Sequence, residues 1–158
     1  MISTILMSFT LLLAQPATGP SAGSAKITND QVLQAIDRFL ADPKSGADEK
    51  LINQFAEESE DCLIALDEKI LTWMGKSPTP EAKLMATAFV AGNVRSQLQS
   101  HKVADDPYAG LQAVFGAYDK LKEKNKDLSI PEIEKYRDMD KKGELKAHVT
   151  SIVQARER

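Results

Sequence analysis

Five prolines punctuate the chain between Lys26 and Arg158, and each stands near the point where one apolar periodicity stops and the next begins. They are Pro43, Pro78, Pro80, Pro107 and Pro131. Proline lacks a backbone donor and clashes with the preceding helical turn, so it belongs at the first turn of a helix or beyond its end. Within the intervals, apolar residues recur at steps of three and four, which gathers them on one helical face. No interval alternates apolar and polar positions long enough for a convincing strand. The pattern predicts an all-α fold of about six helices.

The first helix is expected from Asn29 or Asp30 to Ala41, with Val32, Leu33, Ile36, Phe39 and Leu40 on one stripe. Thr28 or Asn29 suits its N-cap, and Asp42-Pro43 ends it. The second starts near Ala47. Ile52, Phe55, Ser59, Cys62, Leu66 and Trp73 keep helical steps, with Leu63 and Ile70 widening the stripe. It reaches Met74 as one helix, or breaks into two at the acidic run Glu57-Glu58-Ser59-Glu60-Asp61, and Gly75 closes it. The third opens at Thr79-Pro80-Glu81 and runs to Ser100. Its small residues, among them Ala88, Ala91 and Gly92, permit close approach, and packing within the chain is favoured over a dimer face. The fourth runs from Asp106-Pro107 to Asn125, with Tyr108, Leu111, Val114, Phe115, Tyr118 and Leu121 turned inward. Its closing lysines, Lys120, Lys122, Lys124 and Lys126, suit the negative end of a helix. The fifth opens at Ser129-Ile130-Pro131-Glu132, a capping-box spacing, buries Ile133, Tyr136 and Met139, and stops at Gly143. The sixth, Glu144 to Arg156, presents Leu145, Val149, Ile152 and Val153.

Short connections predict antiparallel hairpins in a single all-helical domain over 28–158, as a small bundle or a short α-solenoid. The segment Ala113–Asp127, with Tyr118, Leu121 and Asn125 in order, resembles the second helix of a tetratricopeptide unit. That resemblance implies stacked helix hairpins. The segment before it lacks the family's Trp, Leu and Gly positions.

Residues 1–25 contain no charged side chain, and Ile2–Ala14 is an apolar run interrupted only by Ser and Thr. The run is too short to span a bilayer core of roughly 30 Å and has the length of a signal-peptide h-region. Residues 1–14 are therefore expected to be a signal segment cleaved near Ala14, and residues 15–27 a flexible, disordered Pro/Ala/Gly/Ser leader. No Lys or Arg precedes the run, so the amino terminus must supply the positive charge. No Cys follows it to carry a lipid anchor. The expected location is periplasmic or extracellular, with no stable membrane span after cleavage.

Charge and composition narrow the function. Twenty Lys+Arg against 23 Asp+Glu, a formal charge of −3, does not suit a nucleic-acid binder working by bulk electrostatics. Aromatic residues at 6% do not suit a stacking platform. The single cysteine, Cys62, excludes an internal disulfide and a multi-thiolate metal site. It reads as a small buried hydrophobe, with pairing between chains as the alternative. Trp73 reads as core.

The most suggestive motif is Asp138-Met139-Asp140-Lys141-Lys142-Gly143-Glu144-Leu145, which resembles an EF-hand calcium loop. Asp138 and Asp140 occupy the first and third loop positions and Gly143 the sixth. Lys142 stands where an oxygen ligand belongs, and Val149 where a bidentate Glu belongs. A helix–Gly–helix turn with solvated charges is the better reading of Asp138, Asp140, Gly143 and Glu144. Glu57, Glu60 and Asp61 would share a helix face, most simply a solvated one. His101 and His148 have no carboxylate, Ser or Cys at a metal-binding or nucleophilic spacing. No catalytic residue, metal or cofactor is expected. The expected function is a non-catalytic interaction module of the cell envelope, binding another envelope protein or its own copy. The alternative is a small-molecule-binding bundle or hydrolase using Ser59, Cys62, Tyr108, Tyr118, Tyr136 and His148.

Overall fold

A computed structural model describes residues 26–156. The signal and leader readings for residues 1–25 lie outside the described residues. Among the described residues the chain forms six α-helices, one 3-10 turn and no strand: α1 (Asn29–Ala41), α2 (Ala47–Glu58), the 3-10 turn (Thr72–Met74), α3 (Pro80–Ser100), α4 (Pro107–Lys124), α5 (Pro131–Lys141) and α6 (Leu145–Arg156).

The proline rule holds, and side-chain caps fix the starts of α1, α3 and α4. Thr28 caps α1: its Oγ1 accepts from the Gln31 N–H at 3.2 Å, and Gln31 Oε1 accepts from the Thr28 N–H at 2.9 Å. Thr79 accepts from the Ala82 N–H at 3.1 Å, ahead of Pro80. Asp106 accepts from the Ala109 N–H at 3.1 Å, ahead of Pro107. The expected cap of α5 is corrected. Ile130, not Ser129, occupies the N-cap, with no side-chain cap bond. Ile130 is buried and its N–H donates to Tyr118 Oη at 3.0 Å, so packing sets the start and displaces the Ser-x-x-Glu box. At the other end of α5, Gly143 has φ +74°. Its N–H donates to the Asp140 carbonyl at 2.9 Å and that of Glu144 to the Met139 carbonyl at 2.9 Å, the double bond of a Schellman stop.

Helix α3 is the axis of the molecule: thirteen of its 21 residues are buried. It packs against α1, α2, α4 and the 3-10 turn. Helix α1 reaches α4 as well as α2 and α3, which closes a bundle; in a solenoid each unit would touch only its neighbours. Helices α5 and α6 pack on each other and on α4. The α3–α4 pair is the closest contact. A Cβ on Gly92 would lie 2.5 Å from Ala113 Cβ and 2.6 Å from the Ala109 carbonyl oxygen. A Cβ on Gly110 would lie 2.7 Å from the Phe89 ring. The small-residue face is thus consumed inside the chain.

The long second helix is corrected. Helix α2 ends at Glu58, residues 59–71 are irregular, and only Thr72–Met74 turns again. Glu57 and Glu58 stand in the last turn, with Glu60 and Asp61 just beyond, against the negative end of the helix dipole. Ser59 Oγ then accepts from the Asp61 N–H at 3.1 Å, and Asp67 Oδ1 from the Lys69 N–H at 2.8 Å. Such local bonds compete with helical ones. Among the described residues no helix is long and apolar enough to cross a membrane.

Two expectations follow. Gly92→Ala loses about 1–3 kcal/mol through overpacking despite alanine's higher helix propensity. Gly116→Ala, where a Cβ meets nothing within 4 Å, gains about 0.5–1 kcal/mol. Urea denaturation of the two variants checks the contrast. The second concerns Tyr118, 1% exposed, whose hydroxyl donates to Glu134 at 2.7 Å. Burial, and then the bond to the Glu134 carboxylate, pushes its pKa from 10.0 up to about 12. Its neutral form is favoured in the fold, so its contribution is complete below pH 10 and is lost as pH rises towards 12. Tyr118→Phe is expected to cost about 1–3 kcal/mol at neutral pH by orphaning the Ile130 N–H. It should also shrink the alkaline fall in melting temperature, measured by thermal denaturation across that range.

Candidate functional site

The irregular segment 59–71 is held in place by polar side chains that α3 buries. Gln97 is 2% and Asn93 0% exposed. Gln97 Oε1 accepts from the backbone N–H of Leu63 at 2.9 Å and of Ala104 at 3.0 Å. Its Nε2 donates to the Leu63 carbonyl at 2.8 Å and to Asn93 Oδ1 at 2.7 Å. All four bonding positions of the carboxamide are used. Asn93 donates to Asp105 Oδ1 at 2.7 Å and accepts from the Asp106 N–H at 3.0 Å. Asp105 also accepts from the Ala65 N–H at 3.4 Å and from Arg156, at the end of α6, at 2.9 Å. One network therefore ties the irregular segment, the α3–α4 connection and α6 to the central helix.

Farther along, Tyr136 Oη donates to the Lys69 carbonyl at 3.0 Å. Cys62, Ile70, Leu71 and Trp73 insert into the core between these fastenings. Trp73 meets the Tyr136 ring edge-on, with centroids 6.4 Å apart. Its Nε1 is buried without a hydrogen-bond partner among the described residues, and nothing in the structure explains it.

What this arrangement leaves outside is an apolar strip. Leu63, Leu66 and Val103 are 58%, 64% and 57% exposed. The Leu63 and Ala104 amides converge on the same Gln97 oxygen and the Ala65 amide donates to Asp105, so the backbones that carry Leu63 and Val103 are drawn to the same part of α3. Val103 borders a shallow groove with Asp61, Leu98 and His101. Leu66 borders a wider open groove of 670 Å³ with Leu71, Thr72, Met74 and Lys76. Leu63 and Leu66, expected on a buried stripe, are here corrected to surface residues, because no helix continues to turn them inward.

The other expected residues are scattered. Asp138 and Asp140 lie on α5; Asp138 pairs with Lys141 and Asp140 accepts from Tyr108 Oη at 3.0 Å. Gly143 stops that helix, and Glu144 is exposed. Among the described residues no three His, Cys, Asp or Glu converge as metal ligands. Glu57, Glu60 and Asp61 do not share a helix face, since α2 ends before Glu60. His101 is the α3 C-cap, in left-handed geometry at φ 54°. Cys62 is 8% exposed, and burial pushes its thiol pKa up, which disfavours the reactive thiolate. Of the six polar groups considered for a ligand pocket, only Tyr136 and His148 meet, with ring centroids 6.0 Å apart, in a groove of 320 Å³ shared with Lys69, Thr72 and Met139. Tyr118 serves the α4–α5 joint, and Ser59 a turn.

No protein family, curated protein or solved structure matches the chain.

The residues that organise this surface, Asn93 and Gln97, had a signal in the sequence: an i, i+4 polar pair inside an apolar helix. Gln97→Leu is expected to cost about 2–4 kcal/mol, because it strands backbone groups of Leu63 and Ala104. Hydrogen exchange should show faster exchange at those two amides, with α1 unchanged.

Proposed function

We propose that this chain is an exported, non-catalytic interaction module that docks a protein of the cell envelope along Leu63, Leu66 and Val103. The observation that carries the reading is three large apolar side chains, each more than half exposed, on two irregular segments fastened to the same buried Gln97. Exposed apolar clusters mark interaction sites, and a pre-fastened segment loses little entropy on binding. Export is supported by the uncharged Ile2–Ala14 run. Of the reactive side chains considered for a hydrolase, only Tyr136 and His148 come together.

Site-specific photocrosslinking in the host tests the surface. A crosslinker at position 66 is expected to give discrete protein adducts, and one at exposed position 116 none; equal labelling at both positions would sink the proposal. Leu63→Ser/Leu66→Ser should abolish the adducts from a crosslinker at position 103 while shifting stability by no more than about 0.5 kcal/mol per residue, as exposed positions do. The subunit mass of the protein purified from its host tests export: loss of the residues up to about Ala14 is expected.

A further inference from the structure

We infer that the chain's own apolar run, Ile2–Ala14, seats on the exposed side chains of Leu63, Leu66 and Val103 for as long as it stays attached, and that its removal uncovers them. The inference rests on those side chains forming a docking surface, and it names the segment that covers them before a partner does.

The first argument is where the run is tethered. Lys26, the first described residue, lies with Ile27 in a crevice against Phe55, Glu58 and Ser59, where α2 ends and the segment carrying Leu63 begins. Asn29, at the start of α1, borders the same groove as Val103 and Asp61. Residues 1–25 therefore join the fold beside both exposed apolar positions. Residues 15–25, between the run and Lys26, span at most about 36–40 Å when fully extended. A domain of this size has a radius of gyration of about 14 Å, so the run can reach the surface beside its own anchor. A segment so tethered competes with a free partner at an effective concentration on the order of millimolar.

The second argument is chemical. Ile2–Ala14 carries eight large apolar side chains and no charge, so it needs an apolar counterpart to leave water. Among the described residues, Leu63, Leu66 and Val103 are the large apolar side chains left exposed, and the fold offers no comparable landing elsewhere. The surroundings mix both signs of charge. Asp61 and Lys102 line the Val103 groove, Glu68 lies with Lys69 and Lys76 beside Leu66, and Glu58 lies beside Lys26. A strongly charged segment of either sign meets like charge along this path, and an uncharged one meets none.

Photocrosslinking in the full chain tests this. The chain is made by membrane-free translation, so the run stays attached, with a photoreactive phenylalanine at position 9. Intramolecular adducts are expected on the peptides carrying Leu63–Leu66 and Val103, at a yield unchanged by tenfold dilution. Leu63→Ser/Leu66→Ser/Val103→Ser should lower that yield at least about fivefold while leaving the melting temperature close to that of the parent chain. Adducts scattered over the surface overturn the inference. Adducts that fall on dilution overturn it too, by placing the run on a second copy. For the uncovering, a crosslinker at position 66 is compared in host extract between the full chain and a chain that begins at Gln15. Partner adducts are expected to be at least about tenfold fewer from the full chain. Equal partner labelling of both chains overturns the inference and leaves the docking surface standing. Partner adducts from neither chain overturn the docking reading and the uncovering with it, and the position 9 adducts then decide the seating by themselves.

Discussion

One carboxamide, that of Gln97, has to be satisfied for this fold to exist in its observed form. It sits on a helix covered on most sides, 2% exposed, where water cannot supply its four hydrogen bonds. A buried amide without partners costs several kcal/mol in an apolar setting. The chain meets the demand with backbone, taking both the N–H and the carbonyl of Leu63 and the N–H of Ala104. The consequence runs in two directions. Residues near Leu63 cannot continue α2, because Leu63's backbone groups are already spent. The α3–α4 connection, in turn, is drawn against the same side chain, and Asn93 and Asp105 extend the bond chain to the end of α6.

That network works only because α3 is held still. The glycines at 92 and 110 let α3 and α4 approach to the point where a methyl group would collide with backbone. Close approach fixes the rotation of α3 about its own axis, and with it the direction of Asn93 and Gln97. Tight apolar packing on one face of α3 and a saturated polar network on another thus depend on each other. Helices α1 and α2 complete the enclosure through Ile36, Phe39, Ile52 and Phe55, while Thr87, the third buried polar side chain of α3, accepts from Asn53 at 3.2 Å.

The legible part of this structure was written in residues that act locally. Proline has no amide hydrogen wherever it stands, and Thr28, Thr79 and Asp106 cap the next two or three amides without help from the rest of the chain. Five of the six helices therefore match their expected spans closely. The exception is residues 59–74, where spacing alone cannot tell a helix stripe from a set of anchors. Cys62, Ile70 and Trp73 are all buried, as a stripe would require, yet they reach the core from an irregular path. What decides between the two is a side chain 34 positions away from Leu63, and no window of local periodicity includes it. Ser129 failed for a related reason: burial of Ile130 and its bond to Tyr118 outweigh one hydroxyl cap. The polar pair Asn93 and Gln97 was visible, but its partners were not.

The same long-range bond creates the candidate site. Were 59–71 helical, its leucines would turn towards the core with Cys62, and the acidic residues would fall on a solvated outer face. Unwinding the segment reverses both outcomes at once. Leu63 and Leu66 are left outside, the carboxylates gather at their flanks, and the backbone that would ordinarily be loose is fastened at Gln97, Asp105 and Tyr136. A mobile loop exposing leucines would be an aggregation hazard with no defined shape to recognise. A fastened one presents fixed apolar positions bordered by charge.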